Sequence, residues 1–309
     1  MTKVLIATDK PFAAIAVKGI RQEVENAGME LVLLEKYTEK KQLVEAVKEV
    51  DALIIRSDII DAEVLNAAQQ LKIVVRAGAG YDNIDLNAAT ACGVCVMNTP
   101  GQNSNAVAEL VFGLLVYGVR GYFGGASGTE LKDKKLGILA YGNVGRNVAR
   151  IAKGFGMDIY AFDPYTPAQI IENDGVKAVA SVEDLFRTCA IVSLHIPATE
   201  ETKNSINYPL LSLMPKGAIV VNTARKEVVD ESALARILEE RQDFKYLSDV
   251  KPGIDAELAA KYPDRYFATP KKVGAQTAEA NINAGIAAAK QIVDFIRNGN
   301  IQFKVNESV

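Results

Sequence analysis

The chain has 309 residues, enough for two domains with separate cores. Its formal net charge of −3, with 24% charged and 49% hydrophobic residues, argues against a general nucleic-acid binder. No apolar run reaches the length of a membrane span, and "MTKVLIATDK" reads as a first strand rather than a signal peptide, so a cytoplasmic protein is expected.

Short β-branched runs alternate with helical patterns along the chain, the signature of parallel sheets with crossover helices. The first series of runs is "KVLIATD", "ELVLLEKY", "DALIIRSD", "KIVVRAGA" and "VCVMNTP". Helix-like stretches such as "QLVEAVKEV" and "DAEVLNAAQQ" lie between them. A long apolar helix, "NAVAELVFGLLVYG", follows, then a glycine-rich link, "GGASGTEL", expected to be flexible.

The second series is "KKLGILAYG", "DIYAFDP", "AIVSLHIP", "AIVVNTA", "KYLSDV" and "RYFATP". These runs are apolar almost throughout, as suits strands buried on both faces. The last segment, 277–299, reads as one long helix that returns to the first domain. The expected division is therefore 1–98 with 283–309, and an inserted domain over 99–282.

Three cysteines are present, Cys92, Cys95 and Cys189. "CGVC" has redox or zinc half-site spacing, but it leads into a strand rather than a helix start. With one histidine in the chain and no second cysteine pair, zinc has too few ligands. Buried, reduced, structural cysteines and no metal site are the expectation.

"KLGILA" runs into "YGNVGRNVARIAKGFG", a dinucleotide fingerprint with Ala140 in place of its first glycine. Gly142 lets the backbone approach a pyrophosphate, and Gly145 lets the helix pack on the strand. Asn143 and Val144 open that helix, whose free N–H groups suit phosphates. Alanine at the tight turn is tolerable with a negative φ. A second strand ends at Asp163, at the spacing of the acid that holds ribose hydroxyls. A carboxylate there and no arginine in "DPYTPAQ" favour NAD over NADP.

With "RAGAGYDNIDLNAAT", "NTPGQNSNAVAEL", "LGILAYGNVGRNVA", "SLHIPATEETKNSIN", "MPKGAIVVNTAR", "VVDESAL" and "GAQTAEAN", nearly the whole chain resembles the D-2-hydroxyacid dehydrogenase family. The resemblance implies an α/β protein of two doubly wound parallel-sheet domains. One is a flavodoxin-like substrate domain, the other an inserted Rossmann NAD domain, with catalysis in the cleft between them. Arg225 matches the arginine that grips the substrate carboxylate and polarises C2. Gly78, Ala79 and Gly80 match the loop whose amides hold that carboxylate, and Asn103 a polar residue at the crossover. Arg56 and Ser57 match phosphate-binding residues, with Lys10 at the neighbouring strand end able to join them. His195 is assigned to the cofactor pocket, as are Pro197, Thr202, Thr223, Ala224, Asp249 and Gly274. The implied partners are a phosphorylated 2-hydroxy acid and a second copy of the chain, through the NAD domain.

The chain departs from the family where acid–base chemistry is done. The family's "TPHIGA" becomes "TPKKVGA", and the glutamate of its D-V-x-x-x-E-P stretch becomes Ile254, with Asp255 and Glu257 out of register. A histidine acid gains from a carboxylate partner, whereas a lysine base needs neighbouring positive charge and desolvation. The two changes are therefore coherent. Counting forward from "TP" selects Lys271 as the base; counting back from "GAQT" selects Lys272, and the helix start is the firmer reference. The linker before residue 131 is shorter than in the family, and the chain stops soon after the final helix, with no C-terminal regulatory domain expected. The activity implied is NAD-dependent oxidation of 3-phospho-D-glycerate to 3-phosphohydroxypyruvate, a step of serine biosynthesis. The alternatives are glyoxylate or hydroxypyruvate reduction, or an NAD-sensing interaction protein.

Overall fold

The structure is a computed structural model and describes residues 1–307. It divides into two units, 1–103 with 276–309, and 104–275. The expected joints at 98/99 and 282/283 are each displaced by a few residues. The reason at the second joint is that a single helix runs unbroken over Ala278–Asn298 and cannot be shared between cores.

The first unit holds β1 (Lys3–Thr8), β2 (Glu30–Glu35), β3 (Ala52–Ile55), β4 (Ile73–Arg76) and β5 (Cys95–Asn98). Their order is β2-β1-β3-β4-β5, all parallel, which reverses direction between β1 and β3. Alternation along β1 sends Val4 and Ile6 to one face and Leu5 and Ala7 to the other. The first face is closed by the helices Ala14–Asn26 and Ala278–Asn298, through Ile20, Ala284, Ala288 and Ile292. The second is closed by Leu43 and Val64 from shorter helices. Each fully buried aliphatic chain contributes about 1.5–3 kcal/mol.

The second unit holds β6 (Lys135–Leu139), β7 (Asp158–Phe162), β8 (Lys177–Ala178), β9 (Ile191–Leu194), β10 (Ile219–Asn222), β11 (Lys245–Ser248) and β12 (Tyr266–Ala268). Their order is β12-β11-β10-β9-β6-β7-β8, again all parallel. Counted from β6, this is the 3-2-1-4-5-6 order of dinucleotide-binding sheets with one strand added.

Two expectations need correction. Cys95 and Cys189 are buried, but Cys92 is exposed, because it caps the C-terminus of the short helix Leu86–Ala91 on the surface. The glycine-rich link is not loose either. Thr129 N–H donates to the Val119 carbonyl at 2.9 Å, and a methyl group on Gly128 would stand 2.4 Å from the same oxygen. That approach ties the link to the end of the helix Ser104–Val119.

Candidate active site

In the second unit the chain leaves β6 at Leu139 and turns through Ala140, whose φ is +75°. The negative φ expected for alanine is not adopted. The left-handed backbone costs about 1 kcal/mol and is held by its surroundings. Ala140 N–H donates to Phe162 carbonyl at 2.9 Å, and Tyr141 N–H donates to Asp163 Oδ2 at 2.7 Å. Tyr141 is buried, its hydroxyl 3.1 Å from Asp174. Gly145 has no alternative, since a methyl group there would lie 2.3 Å from the Ala140 carbonyl oxygen.

The helix Asn143–Gly154 that follows begins at Gly142 with no side-chain cap. Three other helices of this unit are capped by Ser181, Asn207 and Asp230, while the short helices Ala168–Asn173 and Asp255–Lys261 are not. A methyl group on Gly142 would meet nothing within 4 Å. An uncapped helix start with open space beside it fits a pyrophosphate, and Asn143 and Val144 are the first two residues of that helix. Asp163 Oδ1 accepts from Tyr165 N–H at 2.8 Å, so both carboxylate oxygens brace the turn. Each keeps a second lone pair for a ribose hydroxyl.

His195 N–H donates to the Leu139 carbonyl at 2.9 Å, which sets the residue beside the fingerprint turn. Its ring Nε2 lies 2.9 Å from Ser193 Oγ, and desolvation pushes the imidazole down to about 3. Neutral at ordinary pH, it packs and hydrogen-bonds but does not carry charge. Thr202 Oγ1 donates to Pro197 carbonyl at 2.6 Å and closes the next loop. Thr223 Oγ1 is buried without a hydrogen-bond partner. Such a group costs about 1–3 kcal/mol until a partner arrives, and this orphan fits the cofactor role the resemblance gives it.

The Arg225 end of the sheet is built by three neighbouring strands. Register aligns Asn222 of β10 with Ser248 of β11, and Ser248 with Ala268 of β12. The chains leaving these ends carry Arg225, Asp249 and the two lysines. Asn222, fully buried, holds the first exit: its Oδ1 accepts from Ala224 N–H at 2.9 Å and its Nδ2 donates to Arg225 carbonyl at 3.0 Å. Arg225 Nη1 donates to Ala224 carbonyl at 3.0 Å, and among the described residues no carboxylate forms an ion pair with it.

Asp249 is buried and turned inward. Oδ1 accepts from Thr269 Oγ1 and Val273 N–H, and Oδ2 from Gly274 N–H, each at 2.8 Å. Those donors flank Lys271 and Lys272, so Asp249 clamps the loop that carries them. Arg225, Asp249, Lys271 and Lys272 line one hollow of about 340 Å³. Glu227, Lys226 and Lys251 line the same hollow, while the two carboxylates nearest the family glutamate's position, Asp255 and Glu257, are committed elsewhere. Asp255 holds Lys251 at 2.8 Å and the Tyr266 hydroxyl at 2.7 Å, and Glu257 holds Lys261 at 2.8 Å. Ile254 packs against the core.

In the first unit, Ala7 of β1 pairs with Ile55 of β3, so Lys10 and Arg56 leave neighbouring strand ends. Arg56 Nη1 donates to the carbonyls of Lys10 at 2.8 Å and Pro11 at 3.2 Å, and Nη2 to Asn281 Oδ1 at 2.8 Å. Burial lowers its pKa, against the pull of Asp58 and Asp9. Ser57 is exposed. Gly78, at φ +149°, spends its N–H on the Arg76 carbonyl at 2.9 Å, leaving the amides of Ala79 and Gly80 with no acceptor among the described residues. Asn98 Nδ2 holds the Ala79 carbonyl at 2.6 Å, and Asn103 ends this part of the unit.

Two residues here were not singled out from the sequence. Arg76 lies across the loop, its Nη1 1.4 Å from where a Gly78 methyl would stand, with Nε donating to the Arg56 carbonyl at 3.1 Å. Buried Asp58 accepts from Asp9 N–H at 2.8 Å, Tyr37 hydroxyl at 2.7 Å and Arg56 N–H at 3.2 Å. The signal for Arg76 was its place at a strand end directly before "GAG". No helix among the described residues is long and apolar enough to cross a membrane, and no group of three or more His, Cys, Asp or Glu there could hold a metal.

The sheet order, the uncapped fingerprint helix and the spaced Asp163 define a dinucleotide-binding unit, and comparison with known proteins agrees. Residues 120–263 match the NAD-binding domain of D-isomer-specific 2-hydroxyacid dehydrogenases. The chain belongs to that family. An NAD-bound 3-phosphoglycerate dehydrogenase structure from Entamoeba histolytica is 48% identical, with TM-score 0.88, covering 100% of this chain and 99% of the other. The D-3-phosphoglycerate dehydrogenase of Methanocaldococcus jannaschii is 36% identical over 86% of this chain, which spans only 54% of that protein. The hydroxypyruvate reductase of Thermotoga maritima is 36% identical over 85% of this chain and 90% of its own length.

Proposed function

We propose that the protein is an NAD-dependent dehydrogenase that oxidises 3-phospho-D-glycerate to 3-phosphohydroxypyruvate with a lysine as general base. The observation that carries this reading is the hollow shared by Arg225, Lys271 and Lys272, with the lysine loop clamped by Asp249. In the reading, Arg225 grips the substrate carboxylate and steadies the oxygen at C2. A neutral lysine, Lys272 by its register to the helix start, removes the C2 hydroxyl proton. Arg225 and the adjacent lysine line the hollow together with Glu227 and Asp249, while Asp255 and Glu257 are held by Lys251 and Lys261. Bound NAD supplies the acceptor for the hydride from C2. Lys10, Arg56 and Ser57 are assigned to the phosphate, and Ala79 and Gly80 amides to the carboxylate. Pairing of two copies through the second unit belongs to the same reading.

The test is NADH absorbance with 3-phosphoglycerate, for the wild type and for Lys271→Ala and Lys272→Ala. One variant is expected to lose at least a hundredfold in kcat. If both keep near-normal turnover, the lysine-base reading fails. A second reading, reduction of hydroxypyruvate or glyoxylate, is favoured by one observation: Arg56 already spends three hydrogen bonds on internal acceptors. A panel of substrates with and without phosphate separates the two. No turnover of any of them, with NAD still bound, would point instead to the NAD-sensing role.

A further inference from the structure

The largest cavity described in the second unit, about 790 Å³, lies at the opposite end of the strands from Arg225. Lys135, Ile191, Ile219 and Lys245, the first residues of β6, β9, β10 and β11, all line it. Its volume is within the range of small-molecule sites. Its charge is one-sided. Lys134, Lys135, Lys216 and Lys245 line it with only Asp243 and Asp264, the Lys135 amine lying over the Tyr160 ring at 5.7 Å from its centroid. Asp243 is already matched by Arg241 at 2.6 Å and by Gly217 N–H at 2.7 Å, and Asp264 lies 4.0 Å from Arg265. Among the described residues none of the four lysines is in an ion pair with a carboxylate.

The wall is apolar and in part unsatisfied. Val119, Ile191, Ile219 and Tyr122 supply it. Tyr122 sits in a left-handed run, Gly121 at φ +57°, Tyr122 at +54° and Phe123 at +57°. Strained backbone of this kind persists only where surroundings enforce it. The Tyr122 hydroxyl oxygen is buried with no hydrogen-bond partner, while Lys245 Nζ stands 5.4 Å from the ring centroid and donates to the Gly118 carbonyl at 2.9 Å. Burial lowers the Lys245 pKa, with Asp264 pulling the other way.

We propose that this cavity binds a small, multiply charged anion with a flat ring, the chemistry of an aryl or heteroaryl phosphate. The lysines take the phosphate as point charges. The apolar wall takes the ring, and Tyr122 gains the partner it lacks. The proposal does not depend on the lysine-base reading, because none of its residues belongs to that machinery.

Pyridoxal 5′-phosphate is a suitable probe. Its aldehyde condenses with a lysine amine, releasing water, and borohydride reduces the imine to a stable amine that peptide mass spectrometry can place. The full chain would be labelled with NAD present at saturation. Label is expected to collect on Lys134, Lys135, Lys216 or Lys245 at least tenfold faster than on other exposed lysines. Phenyl phosphate should compete at least tenfold better than inorganic phosphate. The double variant Lys134→Glu/Lys216→Glu, changed only at the rim, should lose at least tenfold in labelling of Lys245 while NADH turnover is unchanged. Label spread over surface lysines by exposure alone would overturn the proposal. So would equal competition by the two phosphates, or protection that rises with protein concentration in step with dimer formation, which would make a second copy the occupant.

Discussion

Gly274 donates its N–H to Asp249 Oδ2 at 2.8 Å, and a methyl group on Gly274 would lie 2.8 Å from the same oxygen. The two residues are 25 positions apart in the chain yet have no spare room between them. Asp249→Asn should therefore act on the lysine loop. An amide offers one accepting atom where the carboxylate offers two, so at least one N–H or O–H donor is left facing an NH₂. The expected cost is about 1–3 kcal/mol in denaturant unfolding. Hydrogen exchange at Val273 and Gly274 should speed up by about tenfold or more, and kcat should fall. Unchanged exchange at both amides would show that the carboxylate does not order the loop.

Ala140 invites the opposite change. Ala140→Gly removes the Cβ from a left-handed position and is expected to stabilise the protein by about 1 kcal/mol, less the entropy that glycine adds to the unfolded chain. Thermal melting reads this directly. Gly145→Ala should destabilise and weaken NAD binding together, because its Cβ meets the Ala140 carbonyl oxygen at 2.3 Å.

His195 gives a pH dependence with a definite sign. Its folded pKa is lowered from 6.5 to about 3, so the unfolded chain takes up a proton below pH 6.5 that the folded chain refuses. Stability from this group is complete above pH 6.5 and is lost as pH falls toward 3. Between pH 7.5 and 5.5 the loss should be about 1 kcal/mol. His195→Gln should lack that component, so the difference between the two unfolding curves across this range is the measurement. With one histidine in the chain, a single imidazole NMR signal should show no titration between pH 5 and 8.

The thiols should differ sharply in reactivity. Burial pushes Cys189 up to about 12 and raises Cys95, while Cys92 is exposed. One cysteine should react quickly with a thiol reagent in the native protein and two only on unfolding. Fast reaction at Cys95 or Cys189 would mean that the strands covering them open readily.

Both sheets were legible because runs such as "LII" and "IVV" are apolar along their length, and parallel burial on both faces demands it. The fingerprint helix was legible for a similar reason, as glycine spacing records a steric need. The sign of φ at Ala140 was not legible, because it depends on the Phe162 carbonyl and Asp163 holding the turn from another strand. Exposure of Cys92 was missed because "CGVC" reads as the edge of an apolar strand, while the residue itself closes a surface helix. The inward turn of Asp249 was hidden too. The resemblance assigned it to the cofactor pocket, but the three donors that surround it become neighbours only when β11 and β12 pair. Arg76 and Asp58 went unnoticed because a charged residue at a strand end usually faces solvent.

The order of segments along the chain has a consequence for synthesis. Residues 104–275 are one uninterrupted stretch, whereas the first unit needs the helix Ala278–Asn298 to cover Ile20 and the Val4–Ile6 face of β1. On a ribosome the inner unit can finish folding while the earlier one still waits, its sheet bare on one side. Nascent chains arrested once residue 275 has cleared the ribosomal tunnel, but before the helix Ala278–Asn298 has, should therefore shield the inner core from protease yet offer β1 to chaperones, so the protein matures from its middle outward.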